Sequence, residues 1–388
     1  MTLRINGSAP DKAGFAALRR DKDVIASFVL SERETVITDS GLQPNRTYSY
    51  TLEEEHYRTT VQASTMDTTS HDIQWQSYDT LGAYGSVEAI WVLHRNDVIA
   101  AGLFRLSDGK GGYDVSTHYN VARWDGTSWK LKKVSFELNN IIWTPDINSL
   151  FVYNVNDIWY GGGSLIHWDG STNTRVRHVE ALGNFEIKSV WGSPTHDIFI
   201  VGDSGSIARY SNGTWIKMNS KTKVDLADIW GTSSDDVWAT GTNIRDGKSV
   251  LLWYNGIEWT VMYDNQTAGI DMHYIMSVWT DSKRYAYLYS DGFYKMIKSD
   301  RSFIPIQKNG INRPAFLLRA SAPNDMFVVG QVVEVGHWNG ISWRTYPELL
   351  SVGDADLKSV HVGDNMVVAG GFIFNGLYGG PFVIRGYR

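Results

Sequence analysis

From residue 71 to the end of the chain, apolar and polar positions alternate in short runs, without the sustained three-to-four spacing of an amphipathic helix. Residues 187–217 read IKSVWGSPTHDIFIVGDSGSIARYSNGTWIK, and residues 226–260 read LADIWGTSSDDVWATGTNIRDGKSVLLWYNGIEWT. Both follow one template. An apolar run ends in Trp-Gly, an Asp stands six residues after the Trp, a second run ends in Gly, and Asn-Gly precedes a final Trp. The last residue of each apolar run is an anchor: Trp91, Phe151, Trp191, Trp230, Trp279, Arg319 and His361, spaced by 60, 40, 39, 49, 40 and 42 residues. A period near 40 built from short alternating strands predicts four-stranded blades, here called strands a to d. The expected fold is therefore all-β, a seven-bladed β-propeller over residues 71–388.

The turn residues agree with this pattern. Asp125-Gly126, Asp169-Gly170, Asn212-Gly213, Asn255-Gly256 and Asn339-Gly340 lie between strands c and d, where type I′ hairpins are expected. Asp97, Asp157, Asp197, Asp236 and Asp325 occupy one slot between strands a and b, where a carboxylate can accept from turn N–H groups. The fifth repeat is degenerate, with Tyr285 in that slot. The seventh supplies three strands before the chain ends, and residues 71–80, HDIQWQSYDT, resemble the strands d of the other repeats. Pairing this spare strand beside residues 381–387 would close the ring and remove an open sheet edge.

Composition narrows the function. The 388 residues carry a net charge of −6 and no long basic run, which argues against nucleic acid and anionic membranes as partners. No apolar run reaches the ~18 residues of a membrane span. The first residues lack the apolar stretch of a signal peptide. There is no Cys, so disulfides and thiolate metal sites are excluded. Of the 16 Trp, only Trp143 falls outside the repeated strand slots, so the other Trp are read as packing between blades.

Residues 1–70 follow a different pattern, with six strand-like runs. Leu42, Pro44, Thr47 and Tyr48, in GLQPNRTYSYTL, have the spacing of a fibronectin type III tyrosine corner, in which a Tyr hydroxyl bonds to nearby upstream backbone, here expected near Gly41 or Leu42. One strand of the sandwich is lacking, which leaves open whether Met1 is the natural start. The repeat SVWGS…HDIFIVGDSGSIARYSNGTW, the corner and the junction TMDTTSHDIQWQ together resemble a group of bacterial exported proteins that join a fibronectin type III-like module to a Trp-rich propeller. Related repeats occur in photosystem II assembly-factor-like and sialidase-like propellers. The resemblance implies an extracellular, cell-surface or periplasmic location and names no reaction.

No catalytic motif stands out. GDSGS at 202–206 lies on a b–c turn without a matching His and Asp, and the turns lack the residue that a sialidase Asp box places between Asp and Gly. The His residues form no HxH or HExxH pattern. His167 and His337 share a strand-c slot, which points to a structural role. Length variation falls in the b–c and d–a connections, which share one face, so binding is expected there. Its candidate residues are Tyr113, His118, Trp143, Arg245 and Tyr378. Five residues before the anchors stand Ser86, Asp146, Glu186, Asp225, Tyr274, Pro314 and Asp356, a slot expected to ring the channel mouth. Its carboxylates would attract a cation or a basic group, hold Ca²⁺, act as a glycosidase pair, or cap backbone amides. The leading expectation is a monomeric, non-enzymatic propeller that binds a glycan, peptide or protein. The alternative is a glycoside hydrolase or lyase.

Overall fold

The computed structural model describes residues 2–5, 14–29, 35–39, 42, 46–55, 57–65, 67–176, 186–267, 272–306, 311, 314–375 and 378–388. The chain divides into two compact units, residues 1–69 with 339–341 and residues 70–338 with 342–388.

In the first unit, strands Asp23–Val29, Phe15–Arg20, Thr47–Glu54 and Tyr57–Ser64 pair in that order, and Thr2–Ile5 pairs with Thr35–Thr38. Leu18, Tyr48 and Tyr50 are the buried centre of its core. The Tyr50 hydroxyl donates to Asp39 Oδ2 at 2.7 Å, and Arg20 holds Asp39 Oδ1 at 2.9 Å. Burial and the Asp39 carboxylate push the Tyr50 phenol well above its usual range. Tyr48 is buried beneath the Arg46 and Arg20 guanidiniums. Gly41, one expected acceptor for its hydroxyl, lies outside the described residues.

The second unit contains, among the described residues, seven antiparallel sheets of four or more strands, numbered I to VII along the chain. Their innermost strands, a, are Tyr84–His94, Ile147–Asn154, Ile187–Gly192, Leu226–Ser233, Ser277–Ser282, Ala315–Ala322 and Ala355–Gly363. Each strand a packs against the next, and the seventh packs against the first, so the sheets close into a ring. Hydrophobic clusters span neighbouring sheets around that ring. One joins Val368 and Val383 to Val87 and Val98, and another joins Trp238 and Leu251 to Val278 and Leu288. Each sheet thus buries both faces against its neighbours, which is how an apolar, aromatic-rich strand set leaves water. Helical structure among the described residues is limited to 3-10 turns at Asp203–Gly205, Gln331–Val333 and Pro347–Val352.

Sheet VII takes its outer strand from the front of the unit. Tyr378–Tyr387 pairs with Gln74–Trp75 and Asp79–Thr80, in register Gly386↔Trp75 and Phe382↔Thr80. A side-chain relay secures this junction. His71 Nδ1 lies 2.9 Å from His337 Nδ1, and His337 Nε2 lies 3.1 Å from Asp325 Oδ1. The Tyr346 hydroxyl donates to the His71 carbonyl at 3.0 Å, and Arg388 and Ser321 also bond the Asp325 carboxylate.

Burial holds both histidines neutral. It lowers His71 to about 4, with His337 and Arg344 adding to the effect, and it lowers His337 against the opposing pull of Asp325. The unfolded chain takes up these protons below about pH 6.5, and the folded ring resists them. Their contribution to stability is therefore complete above that pH and is lost as pH falls towards the folded value. The melting temperature is expected to drop across this window, with a shallower slope in His71→Asn. An equal slope in wild type and variant would show that the relay does not titrate as described.

Two turn expectations need correction. Of the five pairs between strands c and d, only Asn212-Gly213 forms the two-residue turn with both φ positive, at 50° and 78°. At 125–128, 169–172, 255–258 and 339–342 the loops have four residues, bounded for example by Trp124↔Trp129 and Tyr254↔Trp259. There the Asp or Asn side chain accepts the amides that follow, as Asp125 Oδ1 does from Thr127 and Ser128 at 2.9 Å, and only the Gly takes positive φ. The Thr127 hydroxyl and these amides lower the Asp125 carboxyl to about 2.

The Asp slot between strands a and b also behaves differently. These carboxylates, at the start of strand b, take a donor from the adjacent strand c, and Asp236 and Asp325 add a hydroxyl from Thr232 and Ser321 beside their own turns. Arg123 grips Asp97 through two 2.6 Å bonds, His167 meets Asp157 at 2.8 Å, and Arg209 meets Asp197 at 2.7 Å. Trp253 Nε1 donates to Asp236 at 2.8 Å, and His337 serves Asp325. Strand c is the hydrogen-bonded neighbour of strand b, so its side chains lie one strand away, within reach of the carboxylate. Sheet V, which lacks the Asp, places the Lys295 ammonium 3.9 Å from the centre of the Tyr285 ring instead.

Candidate functional site: the channel mouth and its loop face

Strand a of nearly every sheet carries a β-bulge at the same place. In sheets I, II, III, IV, VI and VII the register skips one residue: Glu88, Asn148, Lys188, Ala227, Phe316 and Lys358. Each lies three residues before its anchor. A bulge turns the extra side chain out of the ladder. These six and Met276 of sheet V all line one central cavity of about 600 Å³. A Gly of strand b opposite the bulge makes room for the kink. A Cβ on Gly241 would lie 2.2 Å from the Asp225 carbonyl oxygen, and one on Gly330 would lie 2.1 Å from that of Pro314.

The bulge overturns part of the expected site. The slot five residues before the anchor does not gather as one carboxylate ring. Of its acids, Glu186 and Asp225 line the central cavity, and Asp146 lines a separate cleft. Asp225 Oδ1 accepts from the Ser204 amide at 2.7 Å, and Asp356 Oδ1 accepts from the Val332 amide at 3.1 Å. Ser204 and Val332 both take positive φ in the b–c turn of the preceding sheet, so each carboxylate caps a strained neighbouring turn. Glu186 accepts from Asn148 Nδ2 at 2.9 Å and pairs with Lys188 at 2.8 Å. No three of His, Asp and Glu among the described residues form a metal-holding group.

The true lining is two-sided. Lys358, Glu88, Asn148 and Lys188 make a polar arc over sheets VII, I, II and III, and Ala227, Met276 and Phe316 make an apolar arc over sheets IV to VI. Deeper in, Arg319 stands where other sheets have an aromatic anchor. Its guanidinium crosses to Asp228 with bonds of 2.9 and 2.7 Å and lies 4.8 Å from the centre of the Trp230 ring. Asp228 also accepts from the Ser277 hydroxyl at 2.8 Å and the Val278 amide at 3.0 Å. The same inter-sheet bond recurs where Ser149 accepts from Val190 and Ser277 from Leu318. The recurring Ser or Asp two residues before the anchor was the sequence signal for it. His361, enclosed nearby with Arg319 adding its charge, is lowered to about 3 and stays neutral.

Around the mouth, the expected loop residues have distinct settings. Residues 136–143 form a hairpin, Phe136–Leu138 paired with Ile141–Trp143, where a plain connection was expected. Asn139 and Asn140, both at positive φ, make its turn. The fully buried Asn120 clamps its base by bonding Val134 on both amide atoms and the Pro145 carbonyl, at 2.7 and 2.8 Å. The hairpin exposes Ile141, Ile142 and Trp143, with 75% of Ile142 accessible. Tyr113 stacks on Tyr84 at 4.3 Å. His118 Nε2 lies 2.9 Å from Asp146 Oδ1 but off the line of a good hydrogen bond. Arg245 is exposed, and its guanidinium has no ion pair among the described residues. Tyr378 lies in the strand Tyr378–Tyr387 of sheet VII, and its side chain lies outside the described residues.

The ring is similar to solved propellers. YCF48 bound to D1 peptide superposes with a TM-score of 0.57 at 13% identity, covering 82% of this chain and 98% of that one. The WD40 β-propeller domain of Doa1 gives 0.56 at 12%, covering 82% and 98%. YCF48 from Cyanidioschyzon merolae gives 0.52 at 12%, covering 81% and 99%. The chain has the β-propeller fold. No protein-family model and no curated protein matches it.

Proposed function

We propose that this chain is a non-enzymatic, seven-bladed binding propeller that engages a peptide or protein segment on its b–c/d–a face. The observation that carries the reading is the concentration of exposed apolar side chains there: Val115, Ile141, Ile142, Trp143, Ile244, Tyr274 and Phe374. An exposed apolar set of this kind on a rigid ring fits a protein surface. Among its structural neighbours, YCF48 is bound to D1 peptide. The engagement of Glu186, Asp225 and Asp356 in ion pairing and turn capping favours binding over hydrolysis. In the same reading, the first unit is a fibronectin type III-like module, and the protein works outside the cytoplasm as a monomer.

Selection of displayed 12-residue peptides on the full chain tests the proposal, with a glycan array run alongside. Selected peptides are expected to lose at least ~10-fold in affinity for the double variant Ile142→Ser/Trp143→Ala, the scale of an apolar hot spot. They should bind Ile257→Ser, altered on the opposite face, as they bind wild type. Peptides that bind the double variant undiminished, or ligands found only on the glycan array, would sink it.

A further inference from the structure

Beside the central cavity, a second cleft of about 440 Å³ opens where sheets VII, I and II meet. Glu88 and Asn148 line both spaces and form the wall between them. The Glu88 carboxylate is half-buried and meets no donor and no cation among the described residues. Ser86 Oγ, also lining the cleft, is buried without a hydrogen-bond partner among the described residues. The opposite wall is aromatic. Phe372 and Phe374 meet edge to face at 4.7 Å, and Phe374 is 49% exposed. Asp146 stands on the rim, 2.9 Å from His118.

An unpaired carboxylate in a cleft lined by phenyl rings calls for a ligand with an apolar stem and a cationic head. Cations of this chain beside the cleft are engaged with rings. Lys358 lies 4.4 Å from the centre of Phe316 and 5.6 Å from that of Phe372, and Arg105 lies 5.5 Å from that of Tyr113, so an incoming cation shares the Phe372 face with Lys358. A metal ion would leave the phenyl wall without a role. A lysine or arginine side chain uses both surfaces: its methylenes lie against Phe372 and Leu103, its head meets Glu88, and ring faces add cation–π attraction.

We infer that this cleft is the specificity pocket for a lysine or arginine side chain of the bound peptide, whose backbone runs from there over the channel mouth. The bulge that frees Glu88 from its ladder is what aims it at the ligand. The inference rests on the proposed peptide-binding face.

The test is the same 12-residue peptide selection on the full chain, read for residue preference. Selected peptides are expected to share one Lys or Arg. Replacing that residue with norleucine, or Glu88 with Gln in the protein, should each weaken binding about tenfold, and the two changes together should cost little more than either alone. Binding of the basic peptide to wild type should weaken with added salt, and the norleucine peptide should show a flatter response. Glu88→Gln should melt as wild type does, because the carboxylate has no partner to lose. Phe374→Ala supplies a second variant, expected to weaken the basic peptide several-fold. Enriched peptides without a shared basic residue, or with an unchanged affinity for Glu88→Gln, would overturn this pocket and leave the binding face standing. No enriched peptide at all would overturn both.

Discussion

Deletion of residues 1–80 is expected to leave a chain that is insoluble or unfolds without cooperativity, whereas deletion of residues 1–69 should leave a folded ring. The difference between the two lies in the strand pairs Gln74–Trp75 and Asp79–Thr80. Without them the outer edge of Tyr378–Tyr387 presents unpaired N–H and C=O groups, a template for aggregation. Arg385 would lose Asp79, which it holds at 2.8 Å. Ile73, 6% exposed in the cluster that joins sheets VI and VII, would be lost with them. His337 would lose His71 and be left as a buried polar group with one partner fewer. Solubility and the sharpness of thermal unfolding are the measurements. A 1–80 deletion that melts at the wild-type temperature would show that the ring does not depend on this strand.

Asp228→Ala is expected to cost about 3–5 kcal/mol, the usual result of leaving one partner of a buried ion pair uncompensated. Asp228 is 2% exposed, and Arg319 has no other carboxylate bond among those found in the ring. Sheets III and V show what the repeat uses elsewhere: Ser189 before Trp191, and Ser277 before Trp279. The double change Asp228→Ser/Arg319→Trp gives sheet IV that Ser before Trp230, gives sheet VI an aromatic anchor, and removes both charges together. It should cost far less than the sum of Asp228→Ser and Arg319→Trp, with at least ~2 kcal/mol of coupling. Denaturant unfolding of the four proteins measures this. Additive single effects would mean that the pair does not act as a unit.

Much of the fold was legible from spacing alone. Trp91, Trp191, Trp230 and Trp279 marked the inner strands because a four-stranded unit repeats its core positions at a near-constant interval. The spare strand at 71–80 and the missing one at the end were visible as a count, and the shared slot of His167 and His337 already pointed to structure. The site was less legible, for a specific reason. A period-2 reading assigns every second residue of strand a to one face, and a bulge breaks that phase by one residue. The acids five positions before the anchors looked like the channel lining, yet of them only Glu186 and Asp225 line the cavity, whereas all seven positions three before the anchors, Glu88 and Lys358 among them, do. The four-residue c–d loops were missed in the same way, since Asp-Gly fits a two-residue turn and an Asx-capped longer one equally well. The Arg319–Asp228 pair joins residues 91 positions apart, and the Asp slot finds its donors on the neighbouring strand c. Local sequence determined which strands form and where they turn. Which side chains meet in the channel was decided by ring closure, because only the closed ring brings sheets IV and VI, or VII and I, within hydrogen-bond reach.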